Sequence, residues 1–152
     1  GDGDDTYDGG NGNDTYNLSL TAAAAIVTLA NAPGTGTATS ADIGSDLLVG
    51  IENIVGGAGS DTITGNNAAN ILTGGGGDDT LNGLGGNDTA AYSGTVGDYG
   101  FSVSGANLVV TDIRGGSPNG ADRTPLAISA ISATTAEAVA SPPAPGPTSV
   151  NS

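Results

Sequence analysis

Residues 56–91 read GGAGSDTIT, GNNAANILT, GGGGDDTLN and GLGGNDTAA, four blocks of nine that begin at Gly56, Gly65, Gly74 and Gly83. The sixth place of the blocks holds Asp61, Asn70, Asp79 and Asp88, and the eighth holds Ile63, Leu72, Leu81 and Ala90. A fixed short period marks a repeat architecture, in which each unit buries its apolar side chain only against its neighbours. The glycines let the chain turn tightly and bring backbone groups close together. The D-T-I and D-T-L tripeptides that follow suit a short strand. Neighbouring strand residues point to opposite faces, so the eighth side chain points inward while those beside it point out.

Nine residues therefore make one turn and one strand, and two such units bring the chain back to the same edge. Residues eighteen apart then stack, Asp61 on Asp79 along one edge and Asn70 on Asp88 along the other. Stacked carboxylates repel unless a cation lies between them. A hard cation with flexible oxygen coordination meets that need, and Ca2+ takes about six to eight oxygen ligands.

The blocks resemble the RTX (repeats-in-toxin) family, whose nonapeptide is G-G-x-G-x-D-x-U-x with U a large aliphatic residue. The blocks at Gly56 and Gly74 fit every defined place. The block at Gly65 keeps only Gly65, Asn70 and Leu72, and the one at Gly83 has Leu84 in place of the second glycine and Ala90 at U. The resemblance implies an all-β fold, a parallel β-roll or β-solenoid of haemolysin type, with an ion between successive turns. It implies one Ca2+ site made of Asp61, Asp79 and the carbonyls of Gly57, Gly59, Gly74 and Gly76. It implies a second made of Asn70, Asp88 and the carbonyls of Asn66, Ala68, Gly83 and Gly85, weaker because Asn70 is neutral. It also implies a non-catalytic calcium-binding module of a secreted, extracellular bacterial protein that folds on Ca2+ after type I secretion.

Upstream, residues 1–17 form a partial block in which Asp5 and Asp14 take the metal-type place and Tyr7 and Tyr16 the U place. Residues 18–55 are an irregular lead-in: Ala24 to Ala30 reads as a strand, residues 31–45 as a loop, and residues 46–55 return to the repeat phase. There Ile54 lies nine before Ile63, and Glu52 lies nine before Asp61 and reads as a solvated acid at the edge. Downstream, residues 92–116 hold a capping hairpin, Tyr99 to Ser104 with Leu108 to Ile113, which would cover the open end of the solenoid. Residues 117–152 read as linker and disordered tail, since Ala, Ser, Thr and Pro dominate from Thr124 onward.

Composition narrows the functions. The net charge is −14, with Lys+Arg 2 against Asp+Glu 16, which disfavours nucleic acid and anionic membrane as partners. Without Cys or His there is no disulfide, no thiolate site, no usual zinc site and no histidine catalysis. No apolar run is long enough to span a membrane. Few aromatic residues are available for a thick core, which suits a solenoid. An enzyme built on the neighbouring acids Asp78 and Asp79 is disfavoured, because successive residues diverge and little is present to wall a pocket. The alternative is a structural or adhesive solenoid segment of a cell-surface adhesin. The chain opens in mid-repeat and contains no Met, so a parent polypeptide with further repeats upstream is expected.

Overall fold

The computed structural model describes residues 3–104, 107–113, 120–125 and 130–133. Apart from a 3-10 turn at Val96–Asp98, regular structure among the described residues consists of strands. In chain order these are β1 (Thr6–Asp8), β2 (Thr15–Asn17), β3 (Ala25–Thr28), β4 (Gly36–Ser40), β5 (Gly44–Val49), β6 (Asn53–Val55) and β7 (Thr62–Thr64). They continue with β8 (Ile71–Thr73), β9 (Thr80–Asn82), β10 (Thr89–Tyr92), β11 (Tyr99–Ser104), β12 (Asn107–Asp112), β13 (Ala121–Pro125) and β14 (Ala130–Ala133). The repeat strands are short because the glycine turn takes up the rest of each block.

Successive repeat strands go to different sheets. One sheet has the order β1-β5-β4-β3-β7-β9-β13-β12-β11, the other β14-β10-β8-β6-β2. β7 pairs parallel with β9, Ile63 opposite Leu81, and β8 pairs parallel with both β6 and β10, Leu72 opposite Ile54 and Ala90. Partners are thus eighteen residues apart, as the doubled period requires. Ile54, Ile63, Leu72, Leu81 and Ala90, one from each of these five strands, are fully buried in a single core with Val27 of β3. A ladder of aliphatic side chains between two sheets removes apolar surface from water at every rung, which is how so thin a core holds.

The larger sheet is mixed, whereas the pairings of the smaller one are all parallel. β3, β4 and β5 run antiparallel in sequence, so residues 31–45, expected to be a loop, contain β4 and the start of β5. The strand is Gly36-Thr37-Ala38-Thr39-Ser40, with Gly36 and Ala38 buried and Thr37 exposed. Its inward residues are so small that the alternation has the composition of a turn. β5 then pairs parallel with β1 and β3 pairs parallel with β7, which keeps the stack continuous.

At the other end β11 and β12 form an antiparallel hairpin with Tyr99 opposite Asp112. Among the described residues the hairpin does not pair with a repeat strand, although the Tyr99 ring packs on Tyr92 of β10. β12 pairs antiparallel with β13, and β13 lies parallel to β9. β13 and β14 fall within residues 117–152, the range expected to be linker and tail, and β14 pairs parallel with β10. The remainder of the expected tail, residues 134–152, lies outside the described residues.

Candidate metal centre

Along the edge of the larger sheet the sixth-place carboxylates reach back from one turn to the backbone of the turn before it. Asp79 Oδ1 accepts a hydrogen bond from the Asp61 N–H at 2.7 Å, and Asp61 Oδ1 accepts one from the Ala25 N–H at 2.8 Å. Asp61 Oδ2 closes its own turn by accepting from the Gly57 N–H at 2.8 Å. Both side chains are buried, and Asp79 Oδ2 has no hydrogen-bond partner. The only two cationic side chains in the sequence are Arg114 and Arg123, both outside residues 56–91, so no basic residue lies within the repeat to pair with them. A buried charge without a partner is costly.

Backbone carbonyls crowd the same gap. The Gly57 oxygen accepts from the Gly76 N–H at 2.8 Å, and a Cβ built on Gly75 would come within 2.0 Å of it. A Cβ on Gly77 would lie 2.7 Å from the Gly59 oxygen, and one on Gly56 would lie 2.0 Å from the Gly74 oxygen. Gly75 and Gly77 also have φ of 106° and 97°, so these places require glycine on both counts. The turns are close enough to bring together oxygen atoms from two stacked repeats, eighteen residues apart.

The opposite edge has the same framework with a different electrostatic solution. Asp88 Oδ1 accepts from the Asn70 N–H at 3.0 Å, and Asn70 Oδ1 accepts from the Asn66 N–H at 2.9 Å. Asn70 Nδ2 donates to the Glu52 carbonyl at 2.8 Å and to Asn66 Oδ1 at 3.2 Å. The Asn66 oxygen accepts from the Gly85 N–H at 3.2 Å. A Cβ on Gly86 would lie 2.4 Å from the Ala68 oxygen, and one on Gly65 would lie 2.9 Å from the Gly83 oxygen. The amide of Asn70 thus satisfies itself within the protein.

The family model for the RTX calcium-binding nonapeptide repeat, in four copies, matches residues 1–16, 48–81 and 55–90. These are RTX calcium-binding nonapeptide repeats. No curated protein matches the chain. The fit to Ca2+ rests on the donor set: paired carboxylates, one oxygen of them buried without a partner, beside converging main-chain carbonyls. Among the described residues no group of three or more His, Cys, Asp or Glu side chains converges, so an RTX ion here would depend on carbonyls as much as on carboxylates.

The two acids of the first RTX segment are not brought together. Asp5 lies beside β1 and Asp14 beside β2, in different sheets. The Asp5 N–H donates to Asp46 Oδ1 at 3.0 Å, and the Asp14 N–H donates to Glu52 Oε2 at 2.8 Å. Glu52, read as a solvated acid, is therefore half-buried and acts as the rung below Asp14. Asp46 is fully buried, and its Oδ2 accepts from the Tyr16 hydroxyl.

Two further rungs escaped the sequence reading, Asp46 and Asp122. The Asp79 N–H donates to Asp122 Oδ1 at 3.0 Å, across 43 residues of sequence. The signal for both is a tripeptide: Gly44-Ser45-Asp46 and Gly120-Ala121-Asp122 share the Gly-x-Asp of Gly59-Ser60-Asp61 and Gly77-Asp78-Asp79. Both lie outside the nine-residue frame. Burial, with the neighbouring charges of Asp61 and Asp78, pushes the Asp79 carboxyl up to about 7. Burial, with Asp79 and Asp78 nearby, pushes Asp122 up to about 8. Burial beside Asp122 and Asp79 also raises the Tyr92 phenol.

Proposed function

We propose that the chain is a calcium-dependent folding module, a β-roll whose RTX turns take up Ca2+ outside the cell in a protein exported by type I secretion. The observation that carries this reading is Asp61 and Asp79, buried and stacked on one edge with an orphaned oxygen and no cation in the repeat. Asp61, Asp79 and the carbonyls of Gly57, Gly59, Gly74 and Gly76 would hold one ion. Asn70, Asp88 and the carbonyls of Asn66, Ala68, Gly83 and Gly85 would hold a weaker one, because the Asn70 amide already answers its own hydrogen-bonding needs. Asp5 and Asp14 would contribute only to incomplete sites in this chain.

Bound Ca2+ supplies charge neutralisation between the stacked carboxylates. In its absence the same carboxylates oppose compaction, so the folded state is only marginally stable where calcium is scarce and is secured where it is plentiful. Extracellular calcium modules respond at roughly 10⁻⁴ to 10⁻³ M. The secreted, bacterial setting is read from the RTX repeats and from nothing else in the chain, and the module itself is read as non-catalytic.

Calcium titration followed by circular dichroism tests this on the wild type, Asp79→Ala and Asp98→Ala. The wild type should gain β signal in the millimolar range. Asp79→Ala should need markedly more calcium. Asp98, whose Oδ2 accepts from Thr95 N–H and Oγ1 in the 3-10 turn, lies outside the repeats, and its loss should leave the calcium midpoint in place. Full β signal in chelator with no response to calcium would overturn the proposal, and a wild-type midpoint in Asp79→Ala would overturn the ligand assignment.

A further inference from the structure

Gly44-Ser45-Asp46 and Gly120-Ala121-Asp122 make the same three contacts at opposite ends of the larger sheet. A Cβ on Gly44 would lie 2.6 Å from the Gly3 oxygen, the Ser45 N–H donates to Asp4 Oδ1 at 2.9 Å, and the Asp5 N–H donates to Asp46 Oδ1 at 3.0 Å. A Cβ on Gly120 would lie 2.0 Å from the Gly77 oxygen, the Ala121 N–H donates to Asp78 Oδ1 at 2.9 Å, and the Asp79 N–H donates to Asp122 Oδ1 at 3.0 Å. Gly44 and Gly120 both have positive φ, 81° and 61°. Each tripeptide therefore occupies the place of the next repeat turn although no repeat is there.

The two differ in the acid beside them. Asp46 Oδ2 is taken by the Tyr16 hydroxyl, and its neighbour Asp5 is exposed. Asp79 and Asp122 are 0% and 1% exposed and their side chains adjoin; the Tyr92 hydroxyl lies against Asp122, and Asp79 Oδ2 is buried without a hydrogen-bond partner of ordinary geometry. The Gly77 carbonyl lies between the same two turns, where Gly120 admits it. Two adjoining buried carboxyl groups, with a main-chain oxygen of the same pair of turns, are the start of an oxygen shell for a hard divalent cation.

We infer that Asp79 and Asp122 bind a calcium ion that fastens β13, and through it the β11–β12 hairpin, to the last repeat turn. This rests on the calcium reading of the repeats but places an ion where one partner comes from outside them. Asp79 would then serve two ions, one on each side of its turn. Docking of the C-terminal strands would be calcium-dependent in its own right, separable from folding of the repeats.

Terbium, a trivalent stand-in for calcium whose emission is sensitised by a nearby phenol, reads this site through Tyr92, which adjoins Asp122. The 152-residue chain should show tyrosine-sensitised terbium emission that is displaced by calcium. Asp122→Asn keeps the shape and the Oδ1 acceptor; it should lose most of that emission and one calcium per chain by equilibrium dialysis. Tyr92→Phe should lose the emission and keep the calcium. Unchanged emission and calcium count in Asp122→Asn would overturn the inference while leaving the repeat sites standing; a wild type that takes up no calcium would overturn both. Hydrogen exchange on the wild type gives an independent measure. Calcium should slow the Asp79 and Ala121 amides, and exchange at Ala121 that ignores calcium while β7 and β9 are protected would refute the site.

Discussion

The basic unit is a single carboxylate bonded to the N–H of the preceding turn, so each rung is held by an acidic group turned toward the backbone. That arrangement predicts an unusual pH response without calcium. Asp79 and Asp122 are raised to about 7 and about 8, above the ordinary carboxylate range near 4, so between these limits the folded state holds protons that the unfolded chain has lost. Their contribution to stability is fully present below about 4 and is lost as pH rises through the folded values. Melts in chelator should therefore give a higher Tm at pH 5 than at pH 8, and Asp122→Asn should flatten the difference. The two groups titrate as a coupled pair, so the transition belongs to both. A Tm that rises across this window in chelator would show that the pair is not buried together.

Among the elements, β4 best separates what the sequence discloses from what it hides. Strands β6 to β10 were legible because an aliphatic residue recurs every nine positions and nothing else competes for the core. β4 has no such side chain: its inward residues are Gly36 and Ala38, and its Thr and Ser are as common in loops as in strands. Ala38 is nonetheless fully buried, so Ala38→Leu should overpack the core and lower stability by about 1–3 kcal/mol. Thr37→Val on the exposed face should change it by less than about 0.5 kcal/mol. Urea midpoints for both in calcium would decide it, and a tolerated Ala38→Leu would mean that residues 36–40 behave as a loop after all. Asp61 and Asp79 were legible as a pair from their spacing. Asp46 and Asp122 were not, since antiparallel strands intervene and the partner lies 41 or 43 residues away rather than eighteen.

At the scale of the whole molecule the charge dominates. With a net charge of −14 and no lysine, the calcium-free chain resists its own compaction through many weak repulsions rather than one strong one. Monovalent salt screens these over a Debye length of about 8–10 Å at ordinary ionic strength. Sodium chloride added in chelator should therefore raise Tm modestly, while at fixed calcium it should weaken ion uptake. Salt that lowers the chelator Tm would point to attractive rather than repulsive surface electrostatics.

The Gly-x-Asp tripeptide docks whether eighteen or 43 residues separate it from its partner. Recognition between turns is thus settled within three residues and is indifferent to the route the chain takes to reach them. A gene encoding such a protein is free to lengthen between rungs without losing the stack. The excursion through β4 and the one through β11 and β12 are two such detours. Foreign sequence spliced at the same points, between β3 and β4 or after β12, should be carried as passengers on an intact ladder.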